Sequence, residues 1–341
     1  VPDVTITHIA RAAGVSIKTV SRVLNRETGV GAETRARVEA VIGQLGYRPN
    51  VSARSLAGAR SYLIGLAFQK VATAYGLEFQ FGAMAACRRA GYHLVVEQVG
   101  DEDDGAAAPL SRLFADIRVD GVILAPPAAD DPAVLDDLEA AGLPYARVAP
   151  DGAFGRSPYA GMDDHRAAFE MTRLLWDHGH RRIAFIGGPD IHSSARRRRE
   201  GWAAALAALG GEARPEWLER GMFLSHSGFE AADRLLDLAE PPTAIFAAND
   251  EMAFGALAAA AKRGLSVPRD LSVAGFDDTY GARSSWPPLT TVRQPVREMA
   301  EAAVDLLIAG FGAVASEDAP RAKLLEFALV ERASVGPPPA R

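Results

Sequence analysis

The chain has 341 residues, more than one hydrophobic core ordinarily serves, so two or three domains are expected. Its 48% hydrophobic and 23% charged residues are those of a water-soluble globular protein, and no run approaches the roughly 18 apolar residues of a membrane span. The single cysteine, Cys87, excludes an intrachain disulfide, and the opening VPDVTITHIARAAG lacks the apolar stretch of a secretory signal, so a cytoplasmic location and no membrane partner are expected.

The net charge of −6 argues against a nucleic-acid partner until it is divided along the chain. Residues 1–60 hold nine Lys/Arg against four Asp/Glu, a net of +5, and the remainder nets −11. Only the N-terminal unit is basic, as suits a small DNA-binding head on a body that repels phosphate.

In chain order, residues 4–25 read VTITHIARAAGVSIKTVSRVLN. Ile6, Ile9, Ala10 and Ala13 recur at helical spacing, and Gly14 permits a tight turn. Ser16 can cap a second helix whose Val20, Val23 and Leu24 face the first. This is the pattern of a helix-turn-helix, whose second helix presents its first residues to base edges. Ile17 and Lys18 are therefore the best-placed readers, with Arg22 one turn on. Ile17 suits a thymine methyl, and Lys18 and Arg22 can donate to guanine. Thr5, Ser16, Thr19, Ser21 and Asn25 fit backbone-positioning contacts. A third amphipathic helix follows, with Val38, Val41, Ile42 and Leu45 on one face. It is entered through Gly31, a weak cap, and Pro49 closes the unit.

From Tyr62 the rhythm changes. Short β-rich runs (SYLIGLAF, HLVVEQV, GVILAP, YARVAP, RIAFIGG, AIFAAND, LSVAGFDD) alternate with helical stretches, two of them near 194–209 and 251–263. Such alternation predicts parallel sheets with right-handed crossovers, and the ligand site then lies beyond the carboxyl ends of the strands. About ten units are too many for one ordinary sheet, so two lobes are expected. The Pro-rich tail ERASVGPPPAR is expected to fray.

Together, the helix-turn-helix, the segment YRPNVSARSL at 47–56 and the blocks GYHLVV, DGVIL, MDDHRAA, GHRRIAFIGGP, PPTAIFAANDEMAFGAL, VPRDLSVAGFDD and PPLTTVRQP resemble the LacI/GalR family of bacterial transcription regulators nearly end to end. The resemblance implies an all-α headpiece joined to an α/β core of two doubly wound parallel-sheet lobes, like a periplasmic binding protein. It implies a headpiece at 1–49 and a hinge helix or linker at 50–61. The N-terminal lobe is expected at 62–162 and 292–320, and the C-terminal lobe at 163–291 and 321–337. It puts the base readers at the positions named above. In the hinge, the residue aligned with Leu56 wedges into the minor groove, and Ala53 and Arg54 line that groove, as a leucine wedge that kinks DNA would require.

Where the lobes face each other, strand ends and helix starts supply Tyr75, Asp163, Asp164, His192, Ser194, Arg196, Arg198, Phe223, Asn249, Asp250, Asp277 and Asp278. Carboxylates accept from vicinal hydroxyls, Arg donates through a fixed fork, and an aromatic face packs on a pyranose. By the resemblance, Arg198, Asn249 and Asp277 hold the effector, Phe223 stacks on it, Asp164 meets a hydroxyl and Tyr75 contacts it from the first lobe. His192 and Ser194 complete the set, and Asp278 braces the following loop. Gly76, where the purine-repressor branch carries an aromatic, favours a saccharide. The run ARRRR at 195–199 reads for the most part as a solvated face. DEDDG at 101–105 lacks calcium-loop spacing, and the scattered histidines lack metal-ligand spacing. Without GxSxG, GxxxxGK[ST] or CxxC, no catalysis and no cofactor are expected. The expected partners are palindromic operator DNA, a small carbohydrate and a second copy of the chain, as a homodimer or a tetramer built from it.

Overall fold

In the computed structural model, residues 4–24, 29–47, 60–69, 74–99, 109–311 and 321–340 are described. Asn25, Ala53, Arg54, Leu56 and the acidic run at 101–105 lie outside the described residues. The chain divides into two compact units, 1–62 and 63–341.

In the first unit, α1 (Ile6–Ala13) stops at Gly14, whose φ of +65° only glycine adopts without strain. The Val15 N–H then returns to the Ala10 carbonyl at 3.0 Å, closing the turn. Ser16 Oγ accepts from the Thr19 N–H at 3.1 Å and caps α2 (Ile17–Leu24). α3 (Ala32–Leu45) starts at Gly31 with no side-chain cap. Ile9, Ala10, Ala13, Val20, Val23 and Val38 form the three-helix core, with Ile6, Leu24, Val41 and Ile42 packed on it. Leu45, expected on the buried face, is exposed: it ends the last turn of α3, past the point where α1 and α2 can cover it.

The second unit contains two six-stranded sheets. The first runs β11-β5-β4-β3-β1-β2, from β1 (Leu63–Gln69), β2 (His93–Val99), β3 (Gly121–Leu124), β4 (Tyr145–Val148), β5 (Tyr159–Gly161) and β11 (Ala322–Leu324). All its pairings are parallel. The second runs β12-β10-β9-β8-β6-β7, from β6 (Ile183–Gly187), β7 (Leu218–Arg220), β8 (Ala244–Ala247), β9 (Ser272–Asp277), β10 (Thr290–Arg293) and β12 (Ala328–Val330). Only its β10–β12 pair is antiparallel. Central strands such as AIFA are buried on both faces, which is why they read as unbroken apolar runs.

Helices α4 (Ala74–Ala90), α5 (Leu110–Ala115), α6 (Pro132–Ala140) and α12 (Val296–Ala309) belong to the first sheet. Helices α7 (Asp164–Asp177), α8 (Ser193–Ala208), α9 (Ser225–Leu236) and α10 (Asp250–Lys262) belong to the second, and the short α11 (Tyr280–Ser284) follows β9. Gly201 lets α8 lie directly on α7, because a Cβ there would stand 2.2 Å from the His165 carbonyl oxygen. That approach brings Arg198, one turn earlier, within reach of Asp164.

The chain passes between the sheets after Gly161, after Arg293 and between Leu324 and Ala328. The third passage falls beyond the expected 320, because RAKLLEFALV is one β-rich run in sequence whose two halves pair with different sheets. The tail is also docked where fraying was expected. Ser334 is fully buried, and its Oγ donates to the Val273 carbonyl at 2.6 Å and accepts from the Thr290 N–H at 2.8 Å. Composition registers its prolines but not the sheet edge that the intervening serine satisfies.

Candidate functional site

In the headpiece, the capping that shapes the helices also turns α2 outward. The Thr5 N–H donates to His8 Nδ1 at 3.1 Å, and Ser16 Oγ lies 2.9 Å from Thr19 Oγ1. Thr5, Ser16 and Thr19 therefore shape the helix starts. Ile17, Lys18 and Arg22 are exposed, Ile17 by 49%, an exposure that the headpiece core makes no use of. Lys18 and Arg22, four residues apart, share one helix face; Ser21 is half-buried beside them.

In the body, strand order reverses between β1 and β3 in one sheet and between β6 and β8 in the other, and ligands of such sheets bind at these switch points. Tyr75 follows β1. His192, Ser194 and Arg198 follow β6, Asn249 follows β8, and Asp277 ends β9.

Arg198 is the centre of the set. It is 5% exposed, its Nε donates to Asp164 Oδ1 at 2.8 Å, and an Nη donates to the Ala248 carbonyl at 2.7 Å. The guanidinium lies 3.7 Å from the centre of the Phe276 ring. With two of five N–H groups used, three remain for a ligand. Burial pushes the Asp164 carboxyl above its ordinary pKa, and Arg198 pulls it back. Burial likewise raises the Tyr75 phenol; it feels Arg198, Asp164 and Asp277, so this first-lobe side chain shares their field. Burial, then Arg198, lowers His192 to about 4, so its imidazole is neutral near pH 7.

The His192 ring stands edge-on to Phe223 at 5.2 Å. Phe223 adopts φ +59°, and its ring fits because residue 188 is glycine: a Cβ there would lie 2.2 Å from Phe223 Cζ. Asn249 has a double task. Its Oδ1 caps α10 by accepting from the Met252 N–H at 3.0 Å, and its Nδ2 donates to the Phe223 carbonyl at 3.1 Å, leaving one amide hydrogen. Asp277 and Asp278 take φ values of +125° and +57°, a strained pair of the kind found at binding sites. Burial drives the Asp277 carboxyl well above the usual range, against the pull of Arg198.

Gln294, Asp250 and Asp278 hold this arrangement. Gln294, which the sequence reading did not single out, donates from Nε2 to Asp277 Oδ1 at 2.5 Å; its signal was a lone amide directly after the TTVR strand. Asp250 accepts from Thr291 Oγ1 at 2.6 Å and from the Thr279 N–H at 2.8 Å. Gly275 leaves room for it, since a Cβ there would stand 2.4 Å from Asp250 Oδ1. Asp278 accepts from Arg293 at 2.7 Å and Arg332 at 2.5 Å, bracing the loop and the tail. Asp163 caps α7 through the Arg166 N–H at 2.9 Å.

The arginine run is for the most part the solvated face that was expected, since Arg196, Arg197 and Arg199 each keep about 40% of their side chains exposed while forming surface ion pairs. Arg198 is buried, Arg196 and Arg197 reach Asp151, and Arg199 pairs with Asp190. Among the described residues, no cluster of three His, Cys, Asp or Glu could hold a metal, and no helix is long and apolar enough to cross a membrane.

A basic helix-turn-helix head and a two-lobed body with a polar, aromatic-lined set at its strand ends define a DNA-binding protein with a binding-protein-like body. Comparison with known proteins agrees. Residues 5–50 match the bacterial regulatory proteins of the lacI family, and residues 172–335 match a periplasmic binding protein-like domain. Catabolite control protein A of Priestia megaterium is 33% identical over 309 residues, covering 89% of this chain and 92% of that protein. A lac repressor dimer bound to operator and the anti-inducer ONPF superposes with a TM-score of 0.76 at 31% identity, over 98% of this chain and 99% of that one. A complex of the transcriptional regulator CelR with cellobiose gives 0.73 at 31% identity, over 97% and 99%. The chain belongs to the lacI family of bacterial regulatory proteins, and it is a DNA-binding transcription regulator rather than an enzyme.

Proposed function

We propose that the protein is a repressor whose operator affinity is set by a small carbohydrate bound between the two lobes. The observation that carries this reading is the convergence on Arg198 of Asp164, Asp277, Asn249 and the Phe223–His192 aromatic wall, with Tyr75 approaching from the other lobe. Three guanidinium N–H groups, carboxylates and a strained aromatic suit vicinal hydroxyls on an apolar ring face. Ser194 adds a hydroxyl at the start of α8. Gly76, buried in α4, provides no second aromatic for a flat nucleobase. Ile17, Lys18 and Arg22 read base edges, while Thr5, Ser16, Thr19, Ser21 and Asn25 fix the backbone. Leu56, flanked by Ala53 and Arg54, wedges the minor groove at the operator centre.

The protein acts in the cytoplasm as a homodimer on a palindromic operator. A second copy is the fitting cover for Leu77, Phe81 and Met84, which α4 leaves exposed at one-turn intervals. The effector acts through its different affinity for two lobe arrangements, closing the lobes, parting the dimer's hinges and releasing Leu56. The headpiece spans 1–49 and the hinge 50–61, and the N-terminal lobe takes 62–162 with 292–324 and the C-terminal lobe 163–291 with 328–337, the third passage lying at 325–327 rather than at 320.

A thermal-shift screen of mono- and disaccharides, followed by calorimetric titration of any hit, tests the reading. A sugar should bind and change operator affinity. Arg198→Ala or Asp277→Ala should weaken that sugar by about 30-fold or more, since each leaves hydroxyls or a buried charge unpaired, while effector-free operator affinity stays near wild type. Binding of a purine with no sugar response would overturn the carbohydrate assignment.

A further inference from the structure

The first lobe contains an acidic seat whose construction the effector site does not explain. Arg147, on β4, is fully buried, and among the described residues no carboxylate lies within salt-bridge distance of it. Its guanidinium instead donates to the carbonyls of Ala129, Gly152 and Ala153, at 3.2, 2.9 and 2.7 Å, and to Ser157 Oγ at 2.9 Å. It thereby fastens the loop after β3 to the loop after β4. A guanidinium desolvated in this way is expensive unless its donors are satisfied, and these contacts engage four of its five N–H groups.

The two fastened loops carry Asp130 and Asp151. Asp130 Oδ1 accepts the Asp151 N–H at 2.9 Å, and Asp130 Oδ2 is buried with no hydrogen-bond partner among the described residues. Asp151 turns its own carboxylate to the other lobe. There it meets Arg196 at 2.5 Å and Arg197 at 3.5 Å, both near the start of α8. Asp130 adds to the field on Arg196. Ala149 and Ala153, flanking Asp151, are held at φ +48° and +50°, so the loop keeps a shape that alanine does not adopt by itself.

We propose that Asp151, seated by Asp130 and Arg147, is an inter-lobe positioning residue that clamps α8 and sets how readily the lobes close. It rests on the reading that α8 carries effector-binding groups, for Arg198 and Ser194 lie on the same helix, yet Asp151 acts without touching the effector. An ion pair across the lobes favours the arrangement in which α8 is docked. By linkage, it raises the fraction of chains ready to bind a ligand that needs both lobes. The clamp is half-exposed and so is sensitive to salt.

The test uses the full chain without effector, so it is independent of which effector binds. Nitroxide labels at exposed Gly155 and Ile191 report the distance between the two rims by pulsed electron resonance, with unlabelled chain added so that only intrachain distances are read. Asp151→Asn should lower the ratio of short to long distances by about three- to fivefold, the range a partly exposed pair with two cations supplies. The substitution Arg196→Ala with Arg197→Ala should do the same, and combining all three should add nothing further. Raising salt should reproduce the shift in the wild type and leave the variants unchanged. An unaltered distribution in Asp151→Asn, or additive effects in the combined variant, would overturn the proposal. Asp130→Asn should retain the backbone acceptor and shift the ratio less than Asp151→Asn; a larger effect would place the clamp on Asp130 instead and refute the assignment.

Discussion

Replacing Asp164 with alanine should destabilise the body through Arg198. Both side chains are nearly buried, and among the described residues Asp164 is the only carboxylate in an ion pair with Arg198. Breaking a buried pair from one side strands the other charge, at about 3–5 kcal/mol. The Ala248 carbonyl and the Phe276 face stay in place and partly stabilise the guanidinium, so the lower end, about 3 kcal/mol, is expected. For a body of this size, with a urea dependence of about 3 kcal/mol per molar, the unfolding midpoint should fall by about 1 M. Trp176, Trp202, Trp217 and Trp286 all lie in the body, so tryptophan fluorescence follows that unit alone. The neighbouring Asp163→Ala removes only the α7 cap and should cost about 1 kcal/mol. The double variant Asp164→Leu with Arg198→Met should recover most of the loss, since neither partner then leaves the other's charge stranded. If Asp164→Ala costs no more than Asp163→Ala, the guanidinium is stabilised elsewhere and the centre of the site has been misread.

His180 is buried between Thr243 and Ser272, and burial lowers its pKa from 6.5 to about 4. The native state thus binds fewer protons than the unfolded chain, so stability is complete above about pH 6.5 and falls as the pH drops toward 4; His180→Gln should remove about 2 kcal/mol of the loss between pH 7 and pH 5, measured by urea unfolding at each pH. Gly188→Ala should displace the Phe223 ring and weaken a cognate sugar by at least about tenfold in calorimetry, whereas unchanged binding would remove Phe223 from the site. Lys18→Ala should relax preference at one base pair by about 1–3 kcal/mol in competition binding, and an equal loss on all sequences would assign it to phosphate alone. A chain beginning at Ser61 should remain folded and fail to bind operator; retained binding would move the DNA contacts into the body.

Local rules fixed much of this protein. Gly14 and Ser16 specify where the headpiece helices stop and start, because a left-handed residue and a capping hydroxyl act within one turn. Unbroken apolar runs bounded by Gly and Asp specified the central strands, because a parallel strand is buried on both faces. The strand ends place Asn249 and Asp277 where such sheets bind ligands, and the resemblance adds Arg198. Whatever depended on partners distant in sequence was decided only by the tertiary structure. The resemblance singles out Arg198 within RRRR, but the physical reason is tertiary: Gly201 lets α8 settle on α7 and buries that one side chain against Asp164. The short strands β11 and β12 lie three residues apart in one β-rich run, and β11 is exposed throughout, so no local burial pattern divides them; pairing with β5 and β10 separates them. Leu45 lies on the apolar stripe of α3 yet stands in solvent, since a helical pattern specifies a direction and only the neighbouring helices determine how far along it the cover extends.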